Sequence, residues 1–64
     1  MPVITVTLGK TENQVKETLI RELTQTAVEA TKIPAQAFVV LINELEDMNI
    51  GLGGKTLSEV KASR

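Results

Sequence analysis

The sequence predicts an α+β protein made of one β-α-β unit, with two parallel strands, one long helix and a short C-terminal hairpin, assembled into oligomers. Three observations favour this class. Apolar residues alternate near the N-terminus, recur with helical spacing in the middle, and form an unbroken run in the second half. A strand, a long helix and a second strand form a right-handed crossover with parallel strands. Sixty-four residues are enough for one domain only, over residues 1–64.

The first strand is predicted over residues 3–8, Val-Ile-Thr-Val-Thr-Leu. Its side chains alternate between the two faces, so Ile4, Val6 and Leu8 share one face. Gly9 interrupts the pattern and ends the predicted strand.

The central segment predicts a helix over residues 12–31. Its start, Thr11 to Gln14, has the form of a capping box, in which the Thr hydroxyl accepts a hydrogen bond from the amide three residues on. Pro34 excludes further helix, because it favours extended geometry in the residue before it. The apolar residues form one inward stripe, at positions 15, 19, 20, 23, 27, 28 and 30.

A second strand is predicted over residues 37–44, Ala-Phe-Val-Val-Leu-Ile-Asn-Glu. Its continuous apolar run is typical of a strand that is buried on both faces. One helix covers only one face, so we expect another subunit to cover the other. A polar connection over 44–49 follows, and then a glycine-rich stretch over 50–54 that indicates a small hairpin, with a short helix over 56–62.

Composition excludes several kinds of function. Seven Lys and Arg residues against eight Asp and Glu residues give a net charge of −1, which is not the basic surface of a nucleic-acid-binding protein. No apolar run is long enough to cross a membrane, and residues 1–8 do not have the features of a signal peptide. Without Cys or His, neither a disulfide nor a typical metal site is expected. We therefore expect a soluble cytoplasmic protein that gains stability by self-association.

The same absences narrow the acid–base chemistry. The chain has no His, Cys or Tyr, so none of its side-chain types titrates ordinarily near neutrality, whereas an α-amino terminus does so at about 7.7–8.0. Pro2 directly follows Met1, and removal of Met1 would expose a secondary amine. Pro2 is therefore a candidate general base. The alternative interpretation is an ordinary proline at the start of an edge strand.

Two further motifs are interpreted as structural. The segment Gly51-Leu-Gly-Gly-Lys-Thr is superficially like a phosphate loop, but Asn49 stands where that motif needs its first glycine, and no long helix follows. Its glycines favour instead a turn with positive φ or a close subunit approach. Glu44, Glu46 and Asp47 form an acidic cluster that matches no calcium loop and is interpreted as a solvated connection.

Four segments combine into a wider pattern: Met1-Pro2 before a strand, 16–22 in the helix, 39–44 in the second strand, and Gly51 to Gly54 near the C-terminus. Together they resemble the 4-oxalocrotonate tautomerase family over nearly the whole chain. The resemblance implies β-α-β subunits in a homohexamer, a trimer of dimers, that acts as an isomerase without metal or cofactor. It also implies Pro2 as general base and a small anionic substrate, an unsaturated or 2-oxo acid such as 2-hydroxymuconate.

The resemblance further implies three substrate-binding positions. Family members place an arginine shortly after the first strand, where the nearest equivalent is Lys10, a second arginine where this chain has Val39, and an aromatic residue where it has Ile50. Lysine is a point charge and lacks the two-pronged grip of a guanidinium on a carboxylate. Two alternatives stay open: the same scaffold with a different reaction (decarboxylation, hydration or dehalogenation), and a non-catalytic oligomeric domain.

Overall fold

The computed structural model describes residues 1–63 and confirms the β-α-β order with a C-terminal hairpin. In chain order the elements are β1 (Val3–Gly9), α1 (Asn13–Thr31), β2 (Val39–Leu45), β3 (Gly51–Leu52), β4 (Lys55–Thr56) and α2 (Leu57–Ala62). Single turns of 3₁₀ helix, Ala35–Ala37 and Asp47–Asn49, precede and follow β2. Within residues 1–63, no helix combines the length and apolar character that crossing a bilayer requires.

β1 and β2 form a parallel pair, as predicted, with Val3 opposite Val39 at one end and Gly9 opposite Leu45 at the other. Because side chains alternate along a strand, each face of this ribbon receives every second residue. The face that α1 covers carries the half-buried apolar side chains Ile4, Val6, Leu8, Val40 and Ile42.

The opposite face of the sheet is open within one chain. Val3 and Leu41 each keep 50% of their surface exposed, and no side chain of residues 1–63 is fully buried. The radius of gyration is 15.2 Å, whereas a compact chain of this length has about 11 Å. The two-sided burial predicted for β2 is therefore not met within one chain, because the single long helix covers one face only.

The boundaries of the strands differ slightly from those predicted. β2 begins at Val39 rather than at residue 37, because the residues after Pro34 first make a 3₁₀ turn in which Ala37 N–H donates to the Pro34 carbonyl at 3.0 Å. β1 extends to Gly9, and β2 to Leu45, so Glu44 belongs to the strand and not to a connection.

The capping box predicted at Thr11 is wrong. The N-cap of α1 is Glu12, and no side chain caps it. The Thr11 backbone N–H donates instead to the Glu44 carboxylate of β2 at 2.9 Å, so a tertiary contact takes the place of the local one. A capping box does form at α2, where the Thr56 hydroxyl accepts from the Glu59 N–H and the Glu59 carboxylate accepts from Thr56.

The predicted hairpin is confirmed as the antiparallel pair β3 and β4, with Leu52 opposite Lys55. Its two-residue turn consists of Gly53 and Gly54, whose φ angles are 61° and 87°. Positive φ at both central residues is typical of the type I′ turn, which matches the twist of paired strands and favours glycine. The glycine-rich stretch thus serves as a turn.

We expect Gly53→Ala and Gly54→Ala each to destabilise the protein, by about 1–2 kcal/mol, because a side chain disfavours the left-handed conformation. Thermal unfolding at a fixed subunit concentration measures the change. Gly9→Ala is the matched control, since Gly9 lies in a strand, lacks a positive φ and has no atom within 4 Å of an added Cβ. Equal unfolding temperatures for all three variants would contradict the turn assignment.

Candidate active site

The candidate base, Pro2, lies at the N-terminal end of the sheet, directly before β1. Its carbonyl oxygen accepts a hydrogen bond from the Val39 backbone N–H at 3.0 Å, so the structure brings these two predicted site residues together. Both are half-buried, whereas Met1 is 88% exposed. The ring nitrogen of Pro2, which forms the peptide bond to the exposed Met1, therefore belongs to a residue whose backbone is anchored to β2.

Lys10 lies at the other end of the sheet, immediately after β1. Its Nζ is 3.2 Å from Oε1 of Glu46, and the two side chains are 60% and 66% exposed. Ion pairs this exposed contribute little to stability. The ammonium of Lys10 can therefore leave Glu46 for another carboxylate at small cost.

The length of β1 separates the two candidate groups. Lys10 lies eight residues after Pro2, which corresponds to about 26 Å of extended strand. A small molecule cannot touch both residues of the same chain. If both act on one substrate, they belong to different subunits.

Lys10 borders an open groove of about 540 Å³ between the end of β1, the turn after β2, and α2. A second cation, Lys61, lines the same groove and pairs with Asp47 at 3.0 Å. Ile50, the third predicted binding residue, lies at the base of the hairpin, where its carbonyl accepts a hydrogen bond from Leu57 N–H at 2.8 Å. Within one chain, the structure does not bring Ile50 or Lys10 to Pro2 and Val39.

Glu44 is the polar residue whose position differs most from the sequence interpretation. Its carboxylate accepts hydrogen bonds from the Thr11 backbone N–H at 2.9 Å and from the Lys16 ammonium at 2.8 Å. The side chains of Lys16 and Glu44 are only 27% and 21% exposed, so this is not a solvated connection. The alternation of side chains along the strand could have predicted this partial burial, because Glu44 follows Val40 and Ile42 on the face that α1 covers.

These contacts change the acidity of Glu44. The hydrogen bond from Lys16 is the largest cause, followed by that from Thr11, and together they hold the pKa of Glu44 below its usual value of 4.5. Partial burial opposes the shift, while the charges of Lys16 and Lys10 add to it. Glu44 is therefore an anion at neutral pH. Among residues 1–63, no group of three or more acidic residues is arranged to hold a metal ion.

A family model described as tautomerase enzyme matches residues 2–59. The chain belongs to the tautomerase family. A probable tautomerase of Bacillus cereus is 38% identical over 61 residues, covering 92% of this chain and 98% of the relative. The 2-hydroxymuconate tautomerase of Pseudomonas sp. strain CF600 is 36% identical over 53 residues, covering 83% and 82% of the two chains. The resemblance to this family and the prediction of an isomerase are thereby confirmed.

Comparison with solved structures supports the same fold. TomN, a 4-oxalocrotonate tautomerase homologue of the tomaymycin biosynthetic pathway, has a TM-score of 0.92 at 31% identity, and the match covers 95% of each chain. This tautomerase therefore shares its fold with that homologue over nearly the whole of both chains.

We expect Glu44→Gln to lower the unfolding temperature of this tautomerase at pH 7. Folding lowers the pKa of the Glu44 carboxyl. The ionised carboxylate therefore stabilises the fold fully at pH values above its pKa in the unfolded chain. This stabilisation is lost as the pH falls through the lower pKa of the folded protein. The difference from wild type should thus shrink below pH 4.5. Thermal scans from pH 7 to pH 3 test this, with Glu17→Gln, an exposed glutamate of α1, as control. A difference that stays constant with pH would contradict the ionic origin.

Proposed function

We propose that this tautomerase moves a proton on a small unsaturated or 2-oxo acid, of which 2-hydroxymuconate is the test case, with the amine of Pro2 as general base. The observation that carries the proposal is the place of Pro2, which is half-buried beside Val39, has its backbone held by β2 and directly follows an exposed Met1. Loss of Met1 makes the ring nitrogen a secondary amine. The named 2-hydroxymuconate tautomerase among the relatives supports the choice of substrate.

The proposed reaction needs one base and one site for negative charge. The unprotonated amine of Pro2 takes the proton of the 2-hydroxyl group, and the electron pair moves through the conjugated chain. The resulting ammonium returns a proton to a carbon atom of the substrate, so the 2-oxo product forms and the amine is restored. A cation on the substrate carboxylate stabilises the substrate and the dienolate alike, so it strengthens binding and leaves kcat nearly unchanged. Lys10 is our candidate for that cation.

We further propose that the site is shared between copies of the chain in a homo-oligomer, a hexamer built as a trimer of dimers. β1 pairs with β2 on one side only, so its other edge is free to pair with a second chain. In a two-fold dimer the two copies of β1 would run antiparallel. This arrangement brings Lys10 of one subunit towards Pro2 of the other, so the two residues can lie close together although they are far apart within one chain.

Replacing the proline tests the base. We expect Pro2→Ala, which has a flexible primary amine, to reduce kcat for ketonisation of 2-hydroxymuconate. A form that retains Met1 should lose about 10²–10⁴-fold, the usual contribution of a general base. Intact mass establishes which N-terminus each sample carries. Pro34→Ala, at the other proline of the chain, is the control. Equal rates for wild type and the Met1-retaining form would refute the amine base.

Neutralising the candidate cation tests substrate binding. We expect Lys10→Gln to raise KM for 2-hydroxymuconate roughly tenfold or more, the value of a hydrogen bond to a charged group. Lys55→Gln, at an exposed lysine of β4, should leave KM unchanged. Steady-state kinetics at constant ionic strength separate the two. Similar KM values for both variants would show that Lys10 does not bind the substrate.

A charge on the open sheet face tests the assembly. We expect Leu41→Lys to dissociate the oligomer, because Leu41 is 50% exposed on the face that α1 leaves open and a buried unpaired ammonium is costly. Gln25→Lys adds the same charge at an exposed position of α1 and should preserve the oligomer. Light scattering at micromolar concentration measures the mass. A wild-type monomer would refute the shared site.

A further inference from the structure

The connection between β1 and α1, residues 10–12, is fixed by a carboxylate from β2. Oε2 of Glu44 accepts the Thr11 N–H at 2.9 Å, and Oε1 accepts the Lys16 ammonium at 2.8 Å. One side chain thus ties together the end of β2, the connection, and the first turns of α1. The connection has no cap of its own that could do the same, because the N-cap Glu12 makes no side-chain hydrogen bond.

Lys10 stands directly before the residue that is held. Fixing the N–H of Thr11 also fixes the peptide plane between Lys10 and Thr11. This plane includes the Lys10 Cα, so the hydrogen bond restricts the backbone from which the Lys10 side chain extends. Two residues after Glu44, just beyond the end of β2, Glu46 pairs with the Lys10 ammonium at 3.2 Å. Glu46 is 66% exposed, so it competes only weakly with a substrate carboxylate. Glu44 holds the backbone, and Glu46 holds the resting side chain.

We propose that Glu44 is a positioning residue for substrate binding, which acts by holding the Thr11 backbone so that Lys10 is directed towards the substrate carboxylate. The proposal rests on the proposed role of Lys10. A lysine has many rotamers, and ordering them on binding costs free energy. Because the connection is already held by Glu44, the backbone needs no further ordering when the substrate arrives, and only the lysine side chain has to be ordered. The alternative is a purely structural anchor, which would affect stability and leave substrate affinity alone.

A double-mutant cycle separates these two roles. Wild type, Glu44→Gln, Lys10→Gln and the double variant are compared by KM and kcat for 2-hydroxymuconate. Glutamine is nearly isosteric with glutamate but has no charge. The two donors go to different oxygens of Glu44, so the amide nitrogen of a glutamine would face one of them. We expect Glu44→Gln to raise KM roughly three- to tenfold, with kcat within about twofold. In the Lys10→Gln background the same change should have no further effect on KM, because Glu44 acts through Lys10.

Two more variants control for loss of the ion pair alone. Lys16→Met removes the ammonium but leaves the Glu44 carboxylate on the Thr11 N–H, so it should raise KM less than Glu44→Gln does. Glu17→Gln, which changes an exposed charge on α1, should not alter KM. An increase in KM that is equal in both Lys10 backgrounds, or no increase at all, would overturn the positioning role. In that case, turnover of 2-hydroxymuconate by the wild type would still support the proposed function.

A measurement without turnover keeps the two proposals distinguishable. The affinity of the same four proteins for muconate, the dicarboxylate that lacks the 2-hydroxyl group, is determined by calorimetric titration. If wild type does not turn over 2-hydroxymuconate, the proposed substrate is wrong. The positioning role of Glu44 is then tested by the muconate affinities of the four proteins alone. Weaker binding on Glu44→Gln that disappears in the Lys10→Gln background supports positioning. Binding that is unaffected by Glu44→Gln, or is absent in wild type, overturns it.

Discussion

The structure depends on one constraint: a two-stranded sheet has two faces, and this chain supplies one long helix to cover them. The half-buried apolar side chains of β1 and β2 lie beneath α1, while Val3 and Leu41 are half exposed on the other side. The chain has an accessible surface of 4829 Å², whereas a folded monomer of this mass has about 4,000 Å². The hydrophobic effect therefore favours association, since covering this face removes apolar surface from water.

The same constraint bears on the chemistry. A straight strand holds its ends apart, so Pro2 and Lys10 lie at opposite ends of β1. Within one chain, no element of the described residues brings the proposed base and the proposed cation together, because they lie beyond opposite ends of the β1–β2 pair. Pairing of strand edges across a two-fold axis brings opposite ends together without any further residues. Assembly and active-site formation would then be a single event in this tautomerase.

The carboxyl end of β2 combines acidic residues with different tasks. Glu44 is on the covered face and accepts hydrogen bonds from Thr11 and Lys16, while Glu46 is exposed and pairs with Lys10. The difference comes from their surroundings, because a partly buried carboxylate must satisfy its oxygens, whereas an exposed one can exchange partners with water and solutes. The acidic cluster in the sequence therefore contains a partly buried carboxylate with two donors and an exposed carboxylate that pairs with Lys10.

The sequence by itself determined the order of the elements, the parallel β-α-β unit and the hairpin, because apolar periodicity, Pro34 and the paired glycines act over a few residues. The family was indicated separately, by a resemblance carried by four segments of the chain. It also singled out Pro2 and Lys10. Only the tertiary structure decided that Thr11 is held by Glu44 rather than by a local cap, and that Val39 lies beside Pro2 while Lys10 does not. Those facts depend on the register of β1 and β2 and on contacts between residues more than thirty positions apart, which no local pattern encodes.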